Sequence, residues 1–335
     1  MAPLISVVIP VYNLEHEISA CIESVQAQTL ADWEAVCVDD GSADGSLEAL
    51  RAFGGQDARI RVLHQENAGV SAARNAGLSA AEGAYVFFLD GDDVLHPQAF
   101  ELLAKAMQGG QYDVVVSSCQ RVQTQHPHFP PISQTACREI SYAEYFQMDS
   151  GLVRSACFKL YRREAAQSAR FPEGLSHGED THYVFQILSQ QVRLGFLDAP
   201  LYSYYDRDVS ASRKLFTASN VTAVLAFHDV CGKVENSADD LLFGMAMKMM
   251  LQDALLVRMH LSNNKQVVKT CRKCVNDYLA KWLRCQAIPL RARIEYAVLF
   301  TFPFLYALAR ICKDPTMLDY YLKKRKSNQQ GEKQP

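Results

Sequence analysis

Ile5-Ser6-Val7-Val8-Ile9-Pro10-Val11 opens the chain's first pattern, and residues 15–28 follow with Ile18, Cys21, Ile22 and Val25 at spacings of three and four. A second apolar run, 33–38, comes next. Short apolar runs rich in β-branched residues suit buried strands, whereas apolar residues at i, i+3, i+4 and i+7 suit one face of a helix. The alternation continues with strand-like runs at 60–63, 85–89 and 113–116. Between them lie helical spacings at Leu47, Leu50 and Phe53, over 70–78, and over 97–107, where Pro97 stands at a helix start. Such regular alternation predicts a doubly wound α/β sheet, whose ligands bind beyond the carboxyl ends of its strands.

From about residue 123 to 141 the pattern breaks, and His126-Pro127-His128-Phe129-Pro130-Pro131 is too rich in proline for a helix or a central strand. A second αβ-like stretch follows: a strand over 158–162, a helix over 179–189, and one or two strands within 192–205. Beyond about residue 216 the spacing is helical, with a polar break at 235–240 and a strongly basic helix over 265–284. The chain is therefore expected to divide into a domain of residues 1–215 and a helical, basic region of residues 216–335. Residues 294–311 are nearly all apolar or aromatic, interrupted by Pro303 and flanked by Arg291, Arg293 and Lys313. That length, about 18 residues, lies at the lower limit of a membrane span. A buried helical hairpin, a helix in the plane of the membrane interface, and a span all remain open. The basic flanks and the run Lys323-Lys324-Arg325-Lys326 suit anionic lipid, and equally a solvated tail.

At 49% hydrophobic and 21% charged residues, the 335-residue chain has the composition of a globular protein with a sizeable core. Its net charge of −3 hides an asymmetry, because residues from 264 onward hold 15 Lys/Arg against 5 Asp/Glu. No nucleic-acid partner is expected of the acidic remainder. The run at 5–11 is too short for a secretory h-region and lacks a basic flank and a cleavage site. The ten cysteines are scattered, so reduced thiols and a cytoplasmic location are expected. Cys271-x-x-Cys274 has no second pair at zinc-site spacing and reads as two helical cysteines.

Four features fall at the carboxyl ends of the predicted strands. They are Pro10-Val11-Tyr12-Asn13; Asp39-Asp40-Gly41-Ser42 with Asp44; Asn67-Ala68-Gly69-Val70-Ser71-Ala72-Ala73-Arg74-Asn75; and Asp90-Gly91-Asp92-Asp93. Each alone reads as a turn or a helix cap. On one sheet edge together they suit a sugar nucleotide. Asp40 can accept the N3–H of a uracil, and the ring of Tyr12 can cover the base. Asp90 and Asp92 offer a hard divalent cation oxygen-only ligands, with substrate phosphates completing the shell. Arg74, one turn into its helix, adds charge near those phosphates.

These motifs together resemble family 2 of the inverting, GT-A-fold glycosyltransferases, over roughly residues 4–210. The resemblance implies a Rossmann-like, doubly wound mixed sheet followed by a helical C-terminal region. It implies a donor site of Pro10, Val11, Tyr12, Asp40, Asn67, Gly69, Arg74 and Asp90, with Asp40 on the base and Asp90 near the ribose and the metal. Asp92 would be the ligand to Mn²⁺ or Mg²⁺, and Asp93 a structural residue capping the following helix. Phe171-Pro172-Glu173-Gly174-Leu175-Ser176-His177-Gly178-Glu179-Asp180 resembles the acceptor-side motif. Asp180 then becomes the general base and Glu179 orients the acceptor; the plain reading is an acidic pair opening a helix, where the macrodipole favours it. Lys159-Leu160-Tyr161-Arg162-Arg163 also resembles the family and reads as architectural. Tyr202, Tyr204, Tyr205, Ser210 and Ser212 mark the end of the catalytic domain and the start of a segment that closes over the donor.

The Gln-x-x-Arg-Trp signature of processive synthases is missing, since neither Trp33 nor Trp282 fits it. A single-addition hexosyl- or N-acetylhexosaminyl-transferase is expected, taking a nucleotide-sugar donor, most simply a UDP-sugar, to a saccharide acceptor in surface glycan assembly. A polyprenyl-diphosphate-linked acceptor would account for the basic, aromatic C-terminal segment, which would touch the cytoplasmic face of a membrane through residues 290–326. Two alternatives stand beside this. A nucleotidyltransferase needs a Gly-rich, basic loop after the first strand, where this chain has Val11-Tyr12-Asn13-Leu14. A non-catalytic sugar-nucleotide-binding protein is expected to have lost Asp92 or Asp180, and both are present.

Overall fold

The computed structural model describes residues 2–133, 135–205, 217–235 and 240–301. Two compact units are present, Met1–Gly174 with Gln186–Asp208, and Leu175–Phe185 with Val209–Pro335.

The first unit is built on a mixed sheet. Its strands are β1 (Ile5–Val11), β2 (Trp33–Asp39), β3 (Ile60–His64), β4 (Tyr85–Phe88), β5 (Val94–Leu95), β6 (Val114–Val122), β7 (Cys137–Ile140), β8 (Lys159–Arg162) and β9 (Leu194–Tyr205). They are ordered β3-β2-β1-β4-β8-β6-β9-β5, with β7 also paired to β9. β1 pairs in parallel with both β2 and β4, and β2 with β3, so these four strands end on one edge. Every residue of β1 and β2 is buried. A strand covered on both faces reads as a continuous apolar run, which is why these segments lack alternation.

The helix Val70–Ala80 packs on β1 and β2. A side chain at Gly77 would collide with Val8, so that glycine sets the closeness of helix and sheet. β8 runs antiparallel between β4 and β6. Its first residue, Lys159, is buried and donates from Nζ to the carbonyls of Leu152 and Ser155, each at 2.5 Å.

Sequence expectation and structure differ in several places. Residues 192–205, expected to hold one or two strands, hold the single strand β9, whose pairing with β6 is irregular around Ser118, opposite Pro200, an irregularity with no signal in the apolar pattern. Pro200 has no N–H to give the ladder, and a bulge absorbs it. β5 and β7 were not foreseen. β7 falls within the stretch read as irregular; only its last residue, Ile140, is buried, so it carries no apolar run to reveal it.

In the second unit the helices Val221–Val234, Asp240–His260, Lys265–Arg284 and Leu290–Thr301 are packed on Phe227, Cys231, Met247, Met250, Leu255, Val275 and Trp282. Cys271 and Cys274 are buried on the helix Lys265–Arg284. The apolar segment expected from 294 begins earlier as the helix Leu290–Thr301, while 302–311, Lys323–Lys326, Ser210 and Ser212 lie outside the described residues. Among the described residues no helix is long and apolar enough to cross a membrane.

Candidate active site

Parallel strands deliver their loops to one edge, and the loops after β1, β2, β3 and β4 carry the residues of interest. Asp40 N donates to Val11 O, and Leu89 N to Val8 O, which extends the pairing just past the strand ends. Pro10 and Val11 remain buried in β1, whereas Tyr12 is 51% exposed and Asn13 takes a left-handed φ of 53°. The chain thus turns out of the sheet at Tyr12, leaving an aromatic ring open at the edge.

The Ser42–Ser46 segment holds that turn. Asn13 N donates to Ser42 Oγ at 3.0 Å, Leu14 N to Ser46 Oγ at 2.8 Å, and Glu15 N to Asp44 Oδ2 at 3.1 Å. In return Ala43 N donates to Asn13 Oδ1 and Gly45 N to Glu15 Oε2, both at 2.8 Å. Much of the polar motif after β2 is therefore a clamp on the loop after β1.

Asp40 is buried and organises the loop after β3. Its Oδ1 accepts from Gln65 Nε2 at 2.7 Å and Ala68 N at 2.9 Å, and its Oδ2 from Gly69 N at 2.8 Å. Gly41, with φ 72°, lies so near this loop that a Cβ would sit 2.7 Å from Asn67 N. Asn67 is exposed. Asp39, fully buried, accepts at Oδ2 from the His64 ring at 2.8 Å and Ser42 N at 3.3 Å, while its Oδ1 has no partner.

Gly69 precedes the helix Val70–Ala80 and provides no side-chain cap. The first N–H groups of such a helix favour an anion. Arg74, buried one turn in, donates from Nη2 to Asp90 Oδ1 at 2.8 Å, and its guanidinium lies over the Phe171 ring. The Asp90 carboxylate is partly exposed, so a buried cation holds a carboxylate that solvent also reaches. At Gly91 the turn lies close against the loop after β1, since a Cβ would stand 2.8 Å from Leu14 Cδ1 and 3.2 Å from Pro10 O. Asp92 is partly exposed, and its carbonyl accepts from Gln125 Nε2 at 3.1 Å.

Asp93 does not cap the next helix, which starts at Ala99. Instead it is buried and accepts from the Tyr202 hydroxyl at 2.6 Å and from Tyr205 N at 2.8 Å, fastening the acidic turn to β9. Burial, reinforced by the Asp92 and Asp90 carboxylates, pushes its pKa well above the ordinary carboxylate range. Tyr202 also accepts from Asp90 N at 3.2 Å. Gln65, Gln125 and this use of Tyr202 carry no local signal; each is recruited by a partner distant in sequence.

Glu179 and Asp180 belong to the second unit, where they open the helix Glu179–Leu188 and are partly exposed. The turn before them rests on Gly178, with φ 88°, whose Cβ would stand 3.1 Å from Ala223. His177 N donates to Thr222 Oγ1 at 3.1 Å. His182 is buried, with Nε2 at 2.5 Å from Asp229 Oδ2 and 3.2 Å from Lys233 Nζ. These contacts seat the acidic helix start on the helix Val221–Val234.

The family model described as Glycosyl transferase family 2 matches residues 6–169. The uncharacterized glycosyltransferase EpsJ of Bacillus subtilis (strain 168) is 33% identical over 211 residues, 61% of this chain and 61% of that protein. Glycosyltransferase GlyG of Streptococcus pneumoniae serotype 4 (strain ATCC BAA-334 / TIGR4) is 33% identical over 231 residues, 65% of this chain and 76% of that protein. The chain thus spans less than two thirds of the first relative's length and about three quarters of the second's. In fold it is similar to S. aureus TarS 1–349 solved with UDP-GlcNAc, with a TM-score of 0.70 and 20% identity over 98% of this chain and 92% of that one. With its mixed sheet, its four loops on one edge and these relatives, the chain belongs to glycosyltransferase family 2 and has the GT-A fold.

Proposed function

We propose that this chain is an inverting, non-processive transferase moving one hexose or N-acetylhexosamine from a UDP-sugar to a saccharide acceptor in surface glycan assembly. The observation that carries this reading is the solvent-reached Asp90 carboxylate, held by buried Arg74 beside Asp92, on the same sheet edge as Tyr12 and Asp40. The glycosyltransferase chemistry is assigned to residues 1–215, and membrane association to the helical, basic region 216–335.

Asp92, with Asp90, would hold Mn²⁺ or Mg²⁺. Both offer oxygen donors, and among the described residues no group of three or more His, Cys, Asp or Glu could hold a metal by itself. That set fits a cation taking one or two carboxylates and completing its shell with phosphate oxygens and water. Bound there, the cation supplies charge neutralisation for the departing nucleoside diphosphate.

The chain's own groups do the rest. Tyr12 covers the base, and Asp40, with the loop it organises, meets the base edge. Arg74 fixes the direction of the Asp90 carboxylate through its hydrogen bond to Oδ1. Asp180 accepts the proton of the acceptor hydroxyl as that oxygen attacks the anomeric carbon opposite the leaving diphosphate, whose bond to carbon breaks with inversion. Glu179 orients the acceptor. A polyprenyl-diphosphate-linked saccharide at the cytoplasmic face of the membrane is the acceptor in this reading, supported by the cationic excess beyond residue 264.

The test is a panel of UDP- and GDP-sugars with Mn²⁺, read by thermal stabilisation and by release of nucleoside diphosphate. UDP-GlcNAc, the ligand of the staphylococcal neighbour, is the first donor to try. Asp92→Ala is expected to lose metal-dependent turnover, and Asp180→Asn to lose turnover while keeping UDP binding. Full activity in Asp180→Asn removes the base assignment. Pyrophosphate release from a nucleoside triphosphate and a sugar phosphate would instead mark a nucleotidyltransferase. Binding without turnover would mark a non-catalytic protein.

A further inference from the structure

Four of the seven large apolar side chains exposed among the described residues lie within sixteen positions of one another: Leu283 at 41%, Leu290 at 58%, Ile294 at 49% and Val298 at 42%. Leu290, Ile294 and Val298 are spaced by four on the helix Leu290–Thr301, so they form one stripe. Leu283 lies in the last turn of the preceding helix, Lys265–Arg284, whose Trp282 Nε1 donates to Arg293 O at 3.1 Å, tying that terminus to the stripe's helix. The helix meets its own unit through buried Phe300 and through Tyr296, whose hydroxyl accepts from Gln252 Nε2 at 2.8 Å, and the stripe is left exposed beside that contact.

The exposed charges of these two helices have one dominant sign. The helix Lys265–Arg284 buries Val267, Cys271, Cys274, Val275 and Trp282, and exposes Lys265, Lys269, Arg272, Lys273 and Arg284. Arg291 is exposed at the start of the next helix. Against these stand Asp277, which bonds to the His228 ring at 2.9 Å, and Glu295.

We propose that this cationic helix face and the Leu290–Ile294–Val298 stripe form a docking surface for an anionic lipid bilayer, with the stripe seated among headgroups and acyl boundary. Apolar side chains flanked by Lys and Arg are the composition of a helix lying in the interface plane. Each cation near an anionic leaflet adds attraction that salt screens. A second copy is the poorer occupant, since an isologous pairing sets this cationic face against itself. The surface is carried by residues 265–298, upstream of most of the segment from which membrane contact was expected. Its biological sense rests on the membrane-linked acceptor proposed above. Its physics does not, so the two fail separately.

The test is co-sedimentation of the full chain, without donor or acceptor, with vesicles of phosphatidylcholine mixed with phosphatidylglycerol and with vesicles of phosphatidylcholine alone. Partition is expected to the anionic vesicles only, and to fall as salt rises toward about 1 M, where the Debye length is about 3 Å. Lys269→Gln with Lys273→Gln should weaken it about 25-fold, at about fivefold for each cation near the surface. Ile294→Asp with Val298→Asp should abolish it, while circular dichroism melting stays at the wild-type temperature. The wild-type salt series needs no variant. Absence of partition, equal partition to both vesicle types, or partition unchanged in both double variants overturns the proposal; the last outcome moves the contact to Lys323–Lys326. A concentration-dependent dimer in light scattering that Ile294→Asp dissociates overturns it too, assigning the stripe to a second copy.

Discussion

Replacing Asp40 by Asn separates its role as an acceptor of loop amides from a merely space-filling one. The substitution conserves volume and keeps one carbonyl oxygen. That oxygen can serve Gln65 Nε2 and Ala68 N, the two donors to Oδ1. The new NH₂ then faces Gly69 N, which now donates to Oδ2 at 2.8 Å, donor against donor. One charge-assisted bond is lost and a part-buried N–H is left facing a donor, about 2–3 kcal/mol together. At about 2–4 °C per kcal/mol for a domain of roughly 200 residues, Tm should fall by about 5–10 °C. Asp40→Ala strips all three donors of their acceptor and should cost more, about 4 kcal/mol. Gln65→Met removes one donor from a carboxylate that keeps its other two, about 1 kcal/mol. Differential scanning fluorimetry gives the ranking, and titration calorimetry with UDP gives the functional consequence. A melting point for Asp40→Asn within about 1 °C of wild type would refute the loop-anchoring argument. Unchanged UDP affinity in Asp40→Asn would refute its contact with the base.

Further outcomes follow from other contacts. Lys159→Met should cost about 3 kcal/mol in denaturant melts, because the carbonyls of Leu152 and Ser155 lose the buried ammonium they accept from. Gly41→Ala, at φ 72° with a Cβ 2.7 Å from Asn67 N, should lower Tm and weaken UDP binding. Gly55→Ala, inside the helix Ser46–Gln56 with nothing within 4 Å, should instead stabilise by about 0.5–1 kcal/mol. Burial, joined by Lys233, lowers the His182 pKa against the opposing pull of Asp229. The folded state therefore binds this proton less readily than the unfolded one. The contribution of neutral His182 is present above the unfolded-state pKa of about 6.5 and is lost as pH falls through the lowered folded value. Melting of wild type and His182→Gln between pH 8 and 5 should converge toward the acid end, and a constant gap contradicts the assignment.

Apolar runs at 5–11 and 33–38 determined by themselves that these segments are central strands, because a strand covered on both faces has no polar positions to hide. Glycine and acidic residues just beyond such runs determined which sheet edge carries the chemistry, since parallel strands all end there. In the same way Gly178-Glu179-Asp180 announced a helix start, and the helix begins at Glu179. Polar partnerships were decided only in three dimensions. Asp93 looked like a helix cap, but Tyr202 and Tyr205, more than a hundred residues away, reach it through β9. Arg74 was read as adding charge near the phosphates, and only the fold gives its buried guanidinium a partner in Asp90. The residues of β8 announced a strand, but not that it runs antiparallel between β4 and β6. Local periodicity records which face of a segment is removed from water, a property of neighbouring residues. The partner that satisfies a buried carboxylate depends on where a distant strand comes to lie, and only chain closure decides that.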